Sequence, residues 1–144
     1  MKALTVHPAF AGLIFAGEKT IEVRTWKTNH RGDILITSSN KKLKDTMPGH
    51  ALCIVNLYDI KKMEKRYCEQ AAVTYTEIKN NINSLYAWFL KDVRIIKPIP
   101  VKGKLGLWDF NGDVDILGAL EDLLKLPENE DAAMYEKYWK PITI

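Results

Sequence analysis

The sequence predicts an α+β fold, a small and mostly antiparallel β-barrel with helices packed around it. Several short apolar segments with strand character occur along the chain, and helical segments interrupt them without a regular strand–helix–strand alternation. That arrangement favours an antiparallel barrel over a parallel, doubly wound sheet. A length of 144 residues fits one domain that buries its own core.

The N-terminal elements are a strand, a helix and a second strand. Ala3–Val6 alternates weakly between its two faces, as a short strand does. Pro8 fits the first turn of a helix, where its missing N–H would be unpaired anyway. Apolar side chains then recur at helical spacing until Gly17, a typical residue after a helix end. The β-branched residues of Thr20–Arg24 predict the second strand.

The middle of the chain contributes three more strand segments. Asp33–Ser38 and the apolar run Ala51–Tyr58 predict buried strands on either side of a lysine-rich loop. Asp59 is expected to cap a helix, because apolar residues follow it at helical spacing, and another short helix is expected over 76–82. Leu85–Ile99 is rich in aromatic and β-branched residues and predicts one bent strand or two.

The C-terminal part of the chain changes in character. Leu107–Phe110 predicts a last short strand after a loop that contains two glycines. Leucines at helical spacing then predict an amphipathic helix over Val114–Leu126, which Pro127 ends. Aromatic residues predict a final short helix over Ala132–Trp139.

Charge is distributed unevenly along the chain. Residues 1–112 carry 18 basic and 10 acidic side chains, a net of +8, whereas residues 113–144 carry 3 and 8, a net of −5, and the two sum to +3. A basic body predicts an anionic partner, most commonly nucleic acid. We therefore expect a functional domain over 1–112 and an acidic amphipathic helical extension over 113–144, packed on the same domain. The extension also offers a surface for a protein partner.

The composition argues against several classes of protein. No apolar run is long enough to span a bilayer and the N-terminus has no signal-peptide pattern, so we expect a cytoplasmic protein with no membrane partner. The two cysteines, Cys53 and Cys68, and the three histidines show no metal-ligand spacing. We therefore expect neither a metal site nor a cofactor.

The most informative segment follows the first helix. Within it, Glu22 and Arg24 share one face of the predicted strand, whereas strict alternation would place Lys19 on the other face. Lys19 joins them only if the chain is still turning after the helix exit at Gly17. A lysine, a glutamate and an arginine that converge at a cleft would form a recognition site. The alternatives are a solvated Lys19 and a structural ion pair between Glu22 and Arg24.

Residues 4–38 resemble the ASCH domain, named for activating signal cointegrator homology, within the PUA-like superfamily. Later segments around residues 51–55 and 98–108 fit the same pattern, so that the resemblance covers about residues 1–112. It implies a β-barrel with a cleft, of the kind that PUA-like folds use to bind RNA or a modified nucleobase. The motifs that carry the resemblance are His7-Pro8, then Gly17, Lys19, Thr20, Glu22 and Arg24, then Trp26-Lys27-Thr28 and His30-Arg31-Gly32.

The resemblance implies that Lys19, Glu22 and Arg24 line the cleft, and that the ligand is RNA or a nucleotide-like small molecule. Glu22 would accept hydrogen bonds at a base edge, and the cations would contact phosphates. An aromatic side chain among cations at the rim would stack on single-stranded bases, although a tryptophan packed on the barrel is an equal alternative. The predicted rim consists of Trp26, Lys27, His30 and Arg31.

An alternative function is that of a small metal-independent amidohydrolase acting on acylated nucleosides such as N4-acetylcytidine. Small bacterial proteins that resemble this family use a lysine, a threonine and a glutamate for that reaction. Lys19 matches the lysine and would act as the base, whereas Glu22 occupies the position of the threonine and would polarise the substrate. No hydroxyl nucleophile is therefore present there. Neither Glu69 nor Glu77 aligns convincingly with the glutamate.

Overall fold

A seven-stranded sheet curled into a half-barrel forms the centre of the computed structural model, which describes residues 1–144. The strands lie in the order β2-β5-β4-β3-β1-β6, and β7 also pairs with β5. Only β1 and β3 are parallel, so the mostly antiparallel α+β prediction is confirmed. The strands are β1 (Lys2–Val6), β2 (Ile21–Arg24), β3 (Gly32–Ser38), β4 (His50–Lys62), β5 (Tyr86–Pro100), β6 (Leu107–Asp109) and β7 (Ile116–Ala119).

The helices are short and surround the sheet. The first begins at the predicted proline, and His7 caps it by accepting a hydrogen bond from the backbone N–H of Ala9 at 3.1 Å. No helix in the structure has the length and apolar character that a membrane crossing requires. The α-helices are α1 (Pro8–Phe15), α2 (Cys68–Ala71), α3 (Tyr75–Ile78), α4 (Leu120–Leu123) and α5 (Glu128–Met134), with short 3₁₀ turns at Lys65–Tyr67, Ile82–Ser84 and Lys140–Ile142 and a π-helical turn at Tyr135–Trp139.

β5 is the strand on which the others assemble. It pairs with β2, β4 and β7, and it is one long strand rather than two. Its register with β4 shifts at three places between Ala51 and Asp59. Such irregularities bend and twist a strand pair, which lets the sheet curl. Of the two alternatives from the sequence, one bent strand is therefore confirmed.

The prediction that a helix begins directly after Asp59 is wrong. β4 continues through Asp59 to Lys62, because this stretch pairs with the first residues of β5, from Lys62 opposite Tyr86 to Asp59 opposite Phe89. Helical turns occur only from Lys65 onward. The hydrogen bonds of a long antiparallel ladder outweigh a weak local capping preference.

The single helix expected over Val114–Leu126 is also wrong. Ile116–Ala119 forms β7 on the residues Arg94–Ile96 of β5, and only Leu120–Leu123 is α-helical. Three of the leucines, at 117, 120 and 123, nevertheless pack against the main core. The predicted pattern was therefore right for Leu117 and Leu120 but wrong for Leu124, which is 71% exposed, and the open edge of β5 determined the backbone conformation.

The main core lies between α1 and the sheet. It contains buried residues from β1, β3, β4 and β5, with Trp88 as the largest fully buried side chain. Trp139 from the C-terminal extension belongs to the same cluster. Its ring packs edge-to-face on that of Phe15 at the end of α1.

Candidate functional site

The chain is still turning when it reaches Lys19. Gly17 has a φ of +78°, and the backbone N–H groups of Glu18 and Lys19 both donate to the carbonyl of Leu13, at 2.9 and 3.1 Å. Regular strand geometry begins only at Ile21. Strand alternation therefore does not apply to Lys19, and its side chain converges with the inward face of β2. The sequence predicted that Lys19 meets Glu22 and Arg24 only with such a turn after Gly17.

Lys19 is an enclosed charge, with 2% of its surface exposed. Its ammonium donates to the backbone carbonyl of Ala71, lies 3.5 Å from Oε1 of Glu22 and sits 4.5 Å from the centre of the Phe10 ring. Burial lowers the pKa of Lys19, the carboxylate of Glu22 opposes that shift, and the guanidinium of Arg24 adds to it. The amine is thus held between an aromatic face, a carbonyl and a carboxylate.

Glu22 connects the two cations. It is 4% exposed, and while Oε1 faces Lys19, Oε2 accepts a hydrogen bond of 3.1 Å from Nε of Arg24. The structural ion pair that the sequence offered as an alternative is present. We refer to Lys19, Glu22 and Arg24 as the charged triad. Its formal net charge is positive because it contains two basic side chains and one carboxylate.

Arg24 is held on two sides and open on the third. Besides the bond from Nε to Glu22, Nη2 donates to the carbonyl of Thr5 at 2.8 Å. No protein acceptor pairs with Nη1, and the side chain remains 21% exposed. The guanidinium therefore has a fixed orientation and a free donor edge.

Arg24 lines a surface cleft of about 340 Å³, which we call the Arg24 cleft. Arg24 and Lys104 are its only charged residues, so no carboxylate lines it. Thr5 organises it, because its Oγ1 accepts from the backbone N–H of Lys104 at 3.2 Å and from Nε1 of Trp108 at 3.1 Å. The residues that line it are Thr5, Arg24, Ser39, Asn40, Gly103, Lys104, Leu105 and Gly106.

Lys19 lines a different cleft, of about 450 Å³, between the α1 exit, β5 and the start of α4. This cleft has mixed charge, with Lys91 and Arg94 together with Asp92 and Glu121. The side chain of Glu22 lines neither cleft. The charged triad therefore connects two clefts, and only the one at Arg24 is uniformly basic.

The four residues predicted for the rim lie outside the Arg24 cleft. The ring of Trp26 packs edge-to-face on Trp88 with 4.8 Å between ring centres, and its carbonyl accepts a bond of 3.1 Å from Nε1 of Trp88. The guanidinium of Arg31 donates to two backbone carbonyls within its own loop, those of Thr28 and His30. A contribution of Trp26, Lys27, His30 and Arg31 to ligand binding stays a prediction.

The structure adds residues that sequence reasoning did not single out. Lys104 and Leu105 lie between Gly103 and Gly106, and a lysine between two glycines in a loop was a visible indication. Nothing in the sequence indicated the role of Thr5, because that role depends on the pairing of β1 with β6. No group of three or more histidine, cysteine, aspartate or glutamate residues could hold a metal ion.

Neither glutamate considered for the hydrolase alternative lines the cleft of Lys19. Glu69 and Glu77 are exposed, and Glu77 accepts hydrogen bonds from the backbone and hydroxyl of Thr74 in a capping box. α2 instead presents the backbone carbonyl of Ala71 to Lys19.

Comparison with known proteins gives a family match for the sequence and several structures of similar fold. The sequence model of the ASCH domain matches residues 4–100. A crystal structure of ASCH from Zymomonas mobilis gives a TM-score of 0.63 at 18% identity, over 76% of this chain and 87% of that one. Two mutant proteins of ASCH from Zymomonas mobilis give TM-scores of 0.62 and 0.60, at 18% and 17% identity, over 76% of this chain and 87% and 89% of theirs. No match is found among curated proteins.

Proposed function

Because the chain belongs to the ASCH domain family and has its PUA-like fold, we propose that it binds RNA or a nucleotide-like ligand in the Arg24 cleft. One observation carries the proposal: Arg24, whose guanidinium is fixed by Glu22 and by the carbonyl of Thr5 while Nη1 has no protein partner, lines a cleft without carboxylates. The protein would perform this function in the cytoplasm.

A fixed guanidinium suits phosphate recognition. Its planar donors match two phosphate oxygens at once, and such charge-assisted bonds are stronger than neutral ones. Because two protein acceptors already orient Arg24, little side-chain entropy is lost when a phosphate binds. Lys104 adds a second positive charge at the same cleft. Glu22 acts in this proposal by orienting the two cations of the charged triad, since each of its oxygens already faces one of them.

The salt dependence of binding tests the proposal. We expect a short fluorescein-labelled single-stranded RNA to bind at low salt, with log K falling linearly as log salt concentration rises. For single strands each phosphate contact contributes about −0.7 to that slope. Lys104→Ala is therefore expected to make the slope shallower by about 0.7 while it weakens binding. Fluorescence anisotropy over a salt series measures both quantities.

Lys125→Ala is the matched control. Lys125 is an exposed lysine of the extension and lines neither cleft, so its removal should leave the slope unchanged. Absence of RNA binding by the wild-type protein at low salt, or binding that does not respond to salt, would refute the proposal. An equal change of slope in both variants would place the contact elsewhere.

The second candidate function is the amidohydrolase, and it is favoured because Lys19 lines a cleft and burial lowers its pKa toward the range of a general base. Water would add to the acetyl carbonyl of N4-acetylcytidine, and the C–N bond would break to give acetate and cytidine. This candidate requires that wild-type protein releases cytidine and that Lys19→Met does not, as measured by chromatography. The absence of product at high protein concentration would exclude it and leave the RNA proposal intact.

A further inference from the structure

The loop over residues 101–106 presents an apolar side chain to solvent. Leu105 is 99% exposed, which is the highest value among the large hydrophobic residues. Single exposed leucines are ordinary on protein surfaces. This one lines the Arg24 cleft, next to the lysine that supplies the second positive charge there. Its location therefore places it in reach of whatever occupies that cleft.

The base of this loop is anchored to the sheet. The backbone N–H of Val101 donates to Gly49 at 3.0 Å, and that of Lys104 donates to Oγ1 of Thr5 at 3.2 Å. A Cβ added at Gly103 would lie 2.5 Å from Cγ2 of Thr5, so the loop approaches β1 as closely as a glycine allows. Leu105 is therefore held out at a defined position beside the cleft, and a contact with it requires little further ordering.

The surroundings of Leu105 indicate the chemistry of its partner. Lys102 and Lys104 precede it in the loop, Arg24 shares the cleft, and no carboxylate lines that cleft. An anion with an adjoining apolar face fits this combination, and a nucleotide provides a phosphate and a base within one unit. In double-stranded RNA the base faces are stacked and inaccessible, whereas single strands can expose them. A single strand is thus the form that offers both contacts together.

We propose that Leu105 packs against an unstacked base of single-stranded RNA while Arg24 and Lys104 hold a neighbouring phosphate. The inference deepens the proposed RNA-binding function and rests on it. Apolar side chains that insert between bases unstack them, and the area they bury stabilises the complex. Leu105 would thus select single strands over duplexes, because only a single strand presents a free base face next to the phosphate.

The test uses an RNA of about eight nucleotides that contains 2-aminopurine, whose fluorescence rises when it unstacks, with a duplex of the same sequence as competitor. We expect wild-type protein to increase the fluorescence and to bind the single strand at least about tenfold more tightly than the duplex. Leu105→Ser should abolish most of the increase and weaken binding about five- to tenfold. The salt slope should stay at the wild-type value, because no phosphate contact is removed.

Leu124→Ser is the matched control, since Leu124 is 71% exposed in the extension and lines neither cleft. An unchanged affinity and fluorescence response in Leu105→Ser would overturn the inference while RNA binding stood. Equal losses in both leucine variants, or equal affinity of the wild type for duplex and single strand, would also overturn it. Failure of the wild-type protein to bind any RNA would refute the proposed function itself, and the two failures are thereby distinguishable.

Discussion

Replacement of Glu22 by leucine is expected to lower the free energy of unfolding by about 3–5 kcal/mol at neutral pH. Glu22 is the only acidic side chain in a salt bridge with Lys19, whose ammonium lies in the interior with 2% of the residue exposed. Loss of the carboxylate leaves that charge buried with a backbone carbonyl and an aromatic ring as its favourable contacts, and with the like charge of Arg24 nearby. Urea denaturation followed by tryptophan fluorescence measures the change.

The double variant Lys19→Met/Glu22→Leu is the control for this prediction. It removes both buried charges and replaces them by apolar groups of similar size, which is often neutral for stability. We therefore expect it to recover most of the loss. A cost below about 1 kcal/mol for Glu22→Leu would contradict the assignment, as would a double variant no more stable than the single one.

The pH dependence of the free energy of unfolding tests the ion pair between Lys19 and Glu22 independently. Burial lowers the pKa of Lys19 in the folded protein below its ordinary value of 10.5. Between the two pKa values the unfolded chain binds more protons, so this group makes stability rise with pH in that window. Above 10.5 the amine is neutral in both states and the penalty is absent. Without Glu22 the folded pKa falls further. The deficit of Glu22→Leu should therefore shrink from about pH 7 to about pH 10, whereas the double variant should not show this trend.

The elements in the first third of the chain could be predicted from sequence because the properties of single residues determine them. Pro8 and Gly17 mark the start and the end of α1 through properties of single residues, and the convergence of Lys19 with Glu22 follows from the turn that Gly17 permits. The glycine also packs closely, because an added Cβ would lie 2.7 Å from Leu120. That contact joins residues more than a hundred positions apart, and no local sequence pattern predicts it.

The parts that sequence did not predict depend on pairing between distant segments. β7 forms because β5 has an open edge at Arg94–Ile96, and the extension reaches it. Thr5 supports the Arg24 cleft because β6 pairs with β1, which brings the 101–106 loop onto it. In both cases the decisive hydrogen bonds join residues whose sequence environment is unexceptional. The sequence motif therefore identified Arg24 in the cleft, whereas the positions of Thr5 and the 101–106 loop follow from the topology.

The extension contributes to the core through one residue above all. Trp139 is 8% exposed, belongs to the main core cluster and packs edge-to-face on Phe15 of α1 with 5.3 Å between ring centres. Its Nε1 is buried and has no hydrogen-bond partner. The side chain thus combines a large apolar contact with an unsatisfied donor, and these two terms have opposite signs.

Trp139→Ala is expected to lower the free energy of unfolding by about 3–5 kcal/mol, because it leaves a large cavity against α1. Trp139→Phe should lose much less, since an unsatisfied buried donor costs about 1–3 kcal/mol and its removal offsets part of the lost volume. Tyr135→Ala, at a half-exposed position of the same turn, is the control and should change stability by less than about 1 kcal/mol. Urea denaturation of the three variants compares them. A small effect of Trp139→Ala, or a phenylalanine variant as unstable as the alanine one, would contradict this account. The expected order would show that the acidic extension completes the core behind the helix from which Lys19 emerges.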